Sequence, residues 1–505
     1  MITKELSGRK LIALNLAAVI FASFITVCIS FFLTPFIVRT IGVEAQGFVQ
    51  LAWNFTSFAG IVTIALNSMA GRFITIAVQQ NDLEKAGRYY TSIFGGNLLI
   101  FAALFIPTLL CILHLEKILN IPSSLLFDVK LLFALVFIAF FASNILSLWS
   151  NTFYITNRLY LQSTGGAIAA LIQSAVVFAL FSAFTPKMYY SALAVLTATA
   201  FTANWGLWHK NELMPELKVK RSLFSFADLR EILASGIWIS LLSAGIILLN
   251  GLNLLICNLL INPTMMGILA LSKMIPTMIQ GLNWQIGITF APQITIRYAK
   301  GDIDSIVPEL RRACKISAII GTIPLAGLVV FGKEFFTLWV PSQDADLLQT
   351  LSLLACFAFL IVSGIQPIGN VFVTVNKFKQ AALAIIISGI INVVIVLACL
   401  KFTDLGLYAI TGVNTIITII RDIVYTAPFA ARYLGIKWNA LFFGFGYAIT
   451  GSLIVSLIGF VVKLVVKPDR WLTFIACCAV TGIVGLLANA FLIFSKDERK
   501  RIWRR

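Results

Sequence analysis

Charged residues, histidines and catalytic motifs are scarce in this sequence. Only 12% of the 505 residues are charged, and only two are histidine. We find no nucleotide-binding loop of the G-x-x-x-x-G-K type, no G-x-S-x-G nucleophile elbow and no H-E-x-x-H metal motif. The longest segments between apolar runs, near 114–128 and 333–346, are too short to fold a catalytic domain. These absences argue against an ATP-driven pump and a hydrolase, and we expect no enzymatic activity.

Long hydrophobic runs dominate what is present. The chain is 59% hydrophobic with a mean hydropathy of +0.95, and a spanning helix needs about 20 apolar residues. We predict an all-α polytopic membrane protein with about fourteen transmembrane helices, or at least twelve because two runs meet near 401–404. The predicted spans are 12–38, 46–70, 91–113, 130–150, 163–184, 189–208, 233–260, 265–290, 314–333, 347–370, 380–400, 404–426, 440–463 and 471–494.

The net charge of +17 follows the predicted topology. Most of the 38 lysines and arginines fall in alternate connecting segments, as the positive-inside rule requires when both termini are cytoplasmic. The basic tail at 496–505 fits an anchor on the anionic inner leaflet. We therefore predict an N-in, C-in membrane protein that contacts membrane lipids and no nucleic acid.

The eight cysteines give no sign of a metal centre. They lie within or at the ends of apolar spans without C-x-x-C spacing, as small packing residues do. The two histidines, His114 and His209, are predicted at opposite membrane faces and cannot share a metal. We therefore expect neither a metal nor a cofactor.

The sequence contains an internal repeat. Asn-Thr-Phe-Tyr-Ile-Thr-Asn-Arg at 151–158 returns as Asn-Val-Phe-Val-Thr-Val-Asn-Lys at 370–377, an offset of 370 − 151 = 219. Ile-Thr-Ile at 74–76 returns at 294–296, an offset of 220 that also relates Gly47 to Gly267. Two short matches at nearly one offset indicate a duplicated bundle, the architecture of alternating-access transporters.

The repeat predicts the domain organisation. We expect two pseudo-symmetric six-helix bundles at 1–208 and 233–430, and a C-terminal helix pair with the basic tail at 431–505. A cytoplasmic linker at 209–232 contains an amphipathic stretch that we interpret as an interfacial helix, with Asp228 able to cap its start. A plain solvated linker is an equal alternative for the first half of this segment.

Lys273 is the clearest candidate for a functional residue. It lies about 8 residues into the span at 265–290, roughly 12 Å below the outer face at 1.5 Å per residue. An ionisable residue at that depth is costly and indicates a functional site by default. We expect Lys273 to face a wet cavity and meet a phosphate; pairing with a carboxylate or with carbonyls is the structural alternative. Pro276 follows three residues later and is a candidate bending point.

Five further bases lie at the ends of predicted spans. Arg39 ends the first span and either lines the outer mouth or marks the interface. Arg72 and Arg421 raise the same question at the inner mouth, where Asp422 offers Arg421 a structural partner. Arg158 and Lys377 are the repeated bases, and their symmetry suggests a shared role at a gate, although such turns are usually solvated.

The spans are nearly empty of carboxylates. A cation exporter needs buried Asp or Glu to bind its substrate and coupling ion, whereas a basic cavity favours an anionic substrate. The scarcity of acids therefore indicates an anion as the transported group.

Several stretches resemble bacterial oligosaccharide flippases of the multidrug and oligosaccharidyl-lipid exporter superfamily. The segment at 34–49 has that family's pattern of an Arg, a Gly, and a later Gly followed by an aromatic: Arg39, Gly42, Gly47 and Phe48. The other similar stretches run from Gly236 through 267–273, over Asn376-Lys377, and from 391 to 406.

The resemblance implies a flippase that moves an undecaprenyl-diphosphate-linked oligosaccharide from the inner to the outer leaflet of the bacterial inner membrane, for cell-surface polysaccharide or lipopolysaccharide synthesis. It implies that Lys273 holds the diphosphate while Arg39 and Arg72 act at the two mouths. The site is expected to be asymmetric, because Trp53 lies where the first half would match Lys273. The expected partners are the lipid-linked oligosaccharide and polysaccharide polymerase machinery, and we expect a monomer.

Three alternatives stay open. A multidrug exporter of the same superfamily is disfavoured by the absence of an acid in the first span. A flippase for the peptidoglycan lipid precursor shares both the fold and the substrate charge. A membrane polysaccharide polymerase or ligase normally acts through a large outer loop, which this chain does not have.

Overall fold

The computed structural model describes residues 8–495 together with residues 498 and 499. These residues form helices and short connections, and none of them lies in a strand. Eleven helical stretches are long and apolar enough to cross a membrane. The prediction of an all-α polytopic membrane protein is therefore confirmed, while the count of fourteen crossings and the N-in, C-in topology stay predictions.

The helices follow each other with few residues between them. In chain order they are α1 Gly8–Gln79, α2 Leu83–Leu113, α3 Leu115–Ile118, α4 Leu126–Ile155, α5 Leu159–Ala183, α6 Tyr189–Leu213, α7 Phe226–Ile246, α8 Asn253–Leu260, α9 Pro263–Ser272, α10 Met274–Thr289, α11 Ala291–Ala299, α12 Ile303–Trp339, α13 Ala345–Cys356, α14 Phe359–Val362, α15 Gly369–Thr374, α16 Phe378–Phe402, α17 Leu407–Arg421, α18 Ala427–Tyr433, α19 Phe443–Val465 and α20 Trp471–Ile493. Two π-helical segments, Ile247–Gly251 and Asp422–Thr426, follow α7 and α17.

The chain divides into two compact units. The first unit contains residues 1–247 and 262–267, and the second contains residues 248–261 and 268–505. Helix α1 of the first unit is two helices joined at Gly42, whose φ of 86° and ψ of 164° are readily adopted only by glycine. Gly42 thus separates the first two predicted spans without a loop.

The first unit has a core that joins its helices to the linker. Leu66 of α1 packs in one buried cluster with Tyr90 of α2 and Ile232 of α7, and the same cluster contains Met214 and Leu217 of the linker. The buried apolar side chains account for the cohesion of this end of the unit, since burial of apolar surface is the main favourable contribution to packing. The linker is therefore part of the folded unit rather than a free connection.

The linker lies along α2 through polar contacts. The Ser225 N–H donates to the Ser92 hydroxyl over 3.0 Å. Helix α7 begins at Phe226 and is capped by Ser225, whose hydroxyl accepts the Asp228 N–H over 3.2 Å. Asp228, which the sequence offered as a cap, does not fill that role because its carboxylate pairs with Arg88 at 3.2 Å.

The second unit is built around α12. The C-terminal pair α19 and α20 packs on this helix where glycines allow close approach, with Gly451 against Thr322 and Gly459 against Val330. The predicted lipid anchor at 496–505 lies outside the described residues except for 498 and 499. Glu498 accepts a hydrogen bond of 2.7 Å from the ammonium of Lys315, a buried residue of α12.

The two copies of the first repeat have the same backbone geometry. Asn157 and Asn376 both adopt the left-handed conformation, with φ of 56° and 55°. The residue after each donates its N–H to the matching phenylalanine carbonyl, from Arg158 to Phe153 over 2.7 Å and from Lys377 to Phe372 over 2.8 Å. The shared asparagine suits this turn because Asn tolerates positive φ better than most residues.

The second repeat is equally regular. The offset of 220 also relates Asp82 to Asp302. Asp82 caps α2 by accepting the Lys85 N–H over 2.9 Å, and Asp302 caps α12 by accepting the Ser305 N–H over 3.2 Å. The residue before each aspartate has positive φ, 59° at Asn81 and 71° at Gly301. The short sequence matches therefore correspond to equal helix ends and equal caps.

Candidate functional site

Lys273 lies at a break between two helices. Helix α9 ends at Ser272 and α10 begins at Met274. Pro276 has no N–H to give the Ser272 carbonyl, which would be its partner in a continuous helix. The buried hydroxyl of Ser352, on α13, donates to that carbonyl over 2.7 Å. The break is thus a stable feature, because the carbonyl that the proline leaves free has another partner.

The Lys273 side chain is half-buried and its ammonium is not neutralised. Within the described part of the chain it makes no ion pair and no side-chain hydrogen bond, and its titratable neighbour is the buried thiol of Cys257. Lys273 lies 273 − 263 = 10 residues after the start of α9, roughly 15 Å along the helix. An ionisable residue at that depth in an apolar segment is by default a candidate for a functional site, and the absence of a carboxylate partner is compatible with an anionic ligand.

The buried acids have a different environment. Among the described residues, four acidic side chains are buried, and each is ion-paired. The pairs are Asp128 with Lys187 at 3.1 Å, Asp228 with Arg88 at 3.2 Å, Glu309 with Arg297 at 3.1 Å and Asp422 with Arg421 at 3.1 Å. Each buried carboxylate of this part of the chain therefore already has a basic partner, whereas the Lys273 ammonium has no acidic partner there.

Arg39 and Arg72 lie on α1 in the first unit, and both are exposed. Neither forms an ion pair with any residue that the structure describes. The two residues are 72 − 39 = 33 positions apart: Arg39 follows the first predicted span and precedes Gly42, whereas Arg72 follows the second predicted span. The structure does not bring the two arginines together, and their roles at the two mouths stay predictions.

Arg421 is tied to its own neighbour. Its Nε donates to Asp422 Oδ1 over 3.1 Å and its Nη2 donates to Oδ2 over 3.2 Å. The Thr426 hydroxyl fixes the same carboxylate with a bond of 2.7 Å. The π-helical segment Asp422–Thr426 brings these groups together, so Arg421 keeps a structural partner of the kind that the sequence allowed.

The repeated bases lie in their two turns as half-buried residues. The Asn15 side chain holds the first turn, donating to the Asn157 carbonyl over 2.9 Å and accepting the Tyr160 N–H over 2.9 Å. The ammonium of Lys377 lies 5.7 Å from the ring centre of Tyr433. Each turn is thus held by contacts within its own unit.

The repeated glycines Gly47 and Gly267 meet within the first unit. A Cβ on Gly47 would lie 2.8 Å from the Cα of Gly267, and a Cβ on Gly267 would lie 2.3 Å from the Val43 carbonyl oxygen. Both glycines lie at the predicted outer ends of their spans. Further along α1, Gly236 of α7 packs on the Ala65 carbonyl, and the Ser240 hydroxyl donates to the Ile61 carbonyl. Close helix contact at small residues is typical of membrane bundles.

Sequence reasoning missed two asparagine clusters within the spans. In the first unit, Asn67 donates to Asn97 over 3.2 Å and to Asn144 over 3.3 Å. In the second unit, Asn392 and Asn414 both donate to the Leu249 carbonyl, which lies in the first π-helical segment. The sequence signal is the presence of uncharged polar residues inside apolar runs, whereas only charged residues were taken as candidates above.

No family model matches the chain. The chain is 26% identical over 493 residues, 97% of both sequences, to the membrane protein EpsK of Bacillus subtilis strain 168, which is described as uncharacterized.

Solved transporters share the fold. A structure of the lipid II flippase MurJ in an inward closed conformation gives a TM-score of 0.68 at 13% identity, covering 95% of this chain and 98% of that one. An inward-facing multidrug resistance MATE family transporter of the MOP superfamily gives 0.64 at 16% identity, covering 81% and 94%. A MOP superfamily transporter from Pyrococcus furiosus, reported with a binding pocket of reversed polarity, gives 0.60 at 14% identity, covering 85% and 96%. The chain is therefore a multi-pass inner-membrane protein with the fold of MOP-superfamily transporters and flippases.

Proposed function

We propose that this protein flips an undecaprenyl-diphosphate-linked oligosaccharide from the inner to the outer leaflet of the bacterial inner membrane. The product would serve cell-surface polysaccharide synthesis, with polymerase machinery as the consumer. One chain contains both predicted halves, so we expect the monomer to be the active form. Lys273 is the proposed binding residue for the diphosphate.

The unneutralised ammonium of Lys273 carries this proposal. Its half-buried position at a helix break contrasts with the buried acids, which are all paired in the described part of the chain. A diphosphate and a glycan cannot cross hydrocarbon unaided, because both lose hydration without compensation. A lysine supplies a compact positive charge with three rotatable donors, which suits a phosphate that must bind and then leave. The substrate's charge and the site's charge are thus complementary.

Alternating access between the predicted halves at 1–208 and 233–430 is the proposed mechanism. The contact of Gly47 with Gly267 closes the predicted outer ends of two spans, so it must open before the headgroup leaves. Arg39 and Arg72 would meet the anion at the outer and inner mouths, with Arg158, Lys377 and Pro276 in the gates. The domain at 431–505 and the linker at 209–232 would support the bundles. The hydrocarbon chain of the substrate would stay in the bilayer.

The test is headgroup translocation in proteoliposomes. We would follow outside accessibility of a fluorescent undecaprenyl-diphosphate-linked oligosaccharide for the wild type, Lys273→Ala and Lys273→Arg. We expect Lys273→Ala to lower the initial rate at least tenfold, about 1.4 kcal/mol in the barrier, and Lys273→Arg to retain part of the rate. Lys401→Ala is the control, because Lys401 is an exposed lysine in the last turn of α16. Equal rates for all four proteins would remove Lys273 from the path.

Two further substrates decide between the related functions. A fluorescent peptidoglycan lipid precursor tests the function named for MurJ, whose structure covers 95% of this chain. A cationic dye tests the multidrug function named for the MATE transporters. Dye movement without glycolipid movement would contradict the proposal, since a cation gains nothing from Lys273 and finds no unpaired buried acid in the described residues.

A further inference from the structure

An apolar groove runs between α16 and α17 in the second unit. Its volume is about 580 Å³, within the range of about 300–1,000 Å³ that is usual for ligand pockets. From Gln380 to Ile395 it follows 395 − 380 = 15 residues of α16, roughly 22 Å. Isoleucines and valines of both helices line most of this length, and many of them are exposed. The groove therefore offers a long hydrocarbon surface without a covering element of its own unit.

One end of the groove is polar and positive. Gln380 lies there with Arg421 and Tyr425, and the ring of Tyr425 is fixed by stacking on Phe372 at 5.5 Å. Arg421 carries five N–H groups, of which Asp422 engages two, so the others are left for an anion. Two lysines also lie beside this end: Lys377 is the N-cap residue of α16, and Lys379 is in the first turn of that helix. An occupant with an anionic head and a long hydrocarbon tail would match both parts.

The first unit shows what closes such a groove. Between α5 and α6, Trp205 lies against Gly165 so closely that a Cβ on the glycine would be 2.6 Å from the indole. The indole N–H also donates to the Leu161 carbonyl over 3.0 Å. The repeat places Val424 at the position of Trp205, since 424 − 205 = 219, and Ala384 at that of Gly165. Both residues line the groove, so the second unit lacks the tryptophan that seals the first.

We propose that the groove between α16 and α17 binds the chain of an isoprenoid phosphate or diphosphate, with its phosphate at Arg421. The groove lies between one pair of helices and so admits one chain, which favours a single-chain isoprenoid over a two-chain phospholipid. This inference rests on the proposed function, because it assigns the lipid part of that substrate to a site. The headgroup site at Lys273 and the chain site at the groove are separate elements of recognition.

The test is photocrosslinking of the purified full-length protein in nanodiscs. The probe is a polyprenyl phosphate that carries a photoreactive group on its chain, and the labelled residues are mapped by peptide mass spectrometry. We expect labelling on α16 and α17, displaced by undecaprenyl phosphate and not by phosphatidylglycerol. Displacement by phosphatidylglycerol at equal concentration would overturn the isoprenoid assignment in favour of an ordinary membrane lipid.

Substitutions in and beside the groove test whether the labelling comes from this site. Val424→Trp supplies the side chain that fills the equivalent place in the first unit, and we expect at least a tenfold loss of labelling. Ile390→Trp is the matched control, since Ile390 is an exposed residue of α16 that does not line the groove. The double variant Arg421→Gln, Asp422→Asn removes both charges of the ion pair together, so that no single charge is left there without its partner. It should weaken the phosphate probe and leave the corresponding polyprenol unchanged.

The outcomes separate this inference from the proposed function. Specific labelling in a protein that flips no glycolipid would support the groove and contradict the flippase assignment. Glycolipid flipping that is unchanged in Val424→Trp, together with undiminished labelling, would overturn the groove and leave the flippase assignment standing. Equal labelling of Val424→Trp and Ile390→Trp would also overturn the groove.

Discussion

Substitution of Gly267 by alanine should open the predicted outer end of the protein. The new Cβ would lie 2.3 Å from the Val43 carbonyl oxygen, whereas ordinary contact begins near 3.4 Å, so the two segments must separate by 3.4 − 2.3 = 1.1 Å. Overpacking of this kind costs about 1–3 kcal/mol. A cost borne only by the closed state shifts the equilibrium toward the open state by about 5- to 150-fold.

The measurement is cysteine accessibility. Met266 is fully buried and its methyl group lies at the glycine contact, so Met266→Cys in a background without native cysteines reports opening. We expect a membrane-impermeant maleimide added outside to label this cysteine at least five times faster when Gly267→Ala is present. Gly60→Ala on α1, the helix that carries Gly47, is the control, because its Cβ would meet nothing closer than 3.7 Å.

One labelling result would contradict a closing role for the contact between Gly47 and Gly267. If Gly267→Ala labels at the rate of Gly60→Ala, while both proteins remain monodisperse with equal thermal stability, the contact does not limit access. Faster labelling in both variants would instead show general loosening, which the matched stability measurement would reveal as a lower Tm.

Two further predictions concern hydrogen bonds inside the spans. Ser352→Ala should destabilise the wild type by about 0.6 kcal/mol, and by up to about 1.7, because it leaves the Ser272 carbonyl without a partner. It should cost less in Pro276→Ala, whose N–H can bond that carbonyl, and a double-mutant cycle on thermal unfolding measures the difference. Asn97→Leu should destabilise by a similar amount, since Asn97 exchanges bonds of 3.0 and 3.2 Å with Asn67. Additive effects of Ser352→Ala and Pro276→Ala in the cycle would contradict the role given to the Ser352 hydroxyl. An unchanged Tm for Asn97→Leu would contradict the role given to the asparagine pair.

The sequence was informative where hydrophobic length and repetition decide the structure. Apolar runs predict spanning helices because each backbone polar group in a bilayer must be bonded within its segment. The repeated Asn157 and Asn376 turns were recognisable because a positive φ and a helix cap both need particular residue types. Spans joined without a loop are harder to count, and at Gly42 one glycine separates two spans inside a continuous α1.

Contacts between distant residues could not be read in the same way. The sequence gives Arg421 and Asp422 as neighbours, but only the π-helical segment brings them into a two-bond pair. Ser352 and Ser272 are 80 positions apart, and nothing local connects a serine hydroxyl to the carbonyl that a proline frees. Such pairings depend on helix packing, so the candidate site was predicted as residues and not as an arrangement.

The differences between the repeats point to the second unit as the part that recognises the substrate. The repeat makes the two halves comparable position by position, and Lys273 stands where the first half has Trp53, just as Val424 stands where it has Trp205. In both cases a bulky aromatic is exchanged for a residue that leaves a charge or a space. Both π-helical segments of the described chain also lie at or after Ile247, and π-helical turns are frequent at functional sites. Because a duplicated ancestor had equal halves, differences that open space and add charge in one half are the expected result of specialisation for binding.

Placing the tryptophan of the first half at the matching position of the second, by Lys273→Trp or Val424→Trp, should therefore impair transport. Trp53→Phe should leave transport largely unchanged in the same proteoliposome assay.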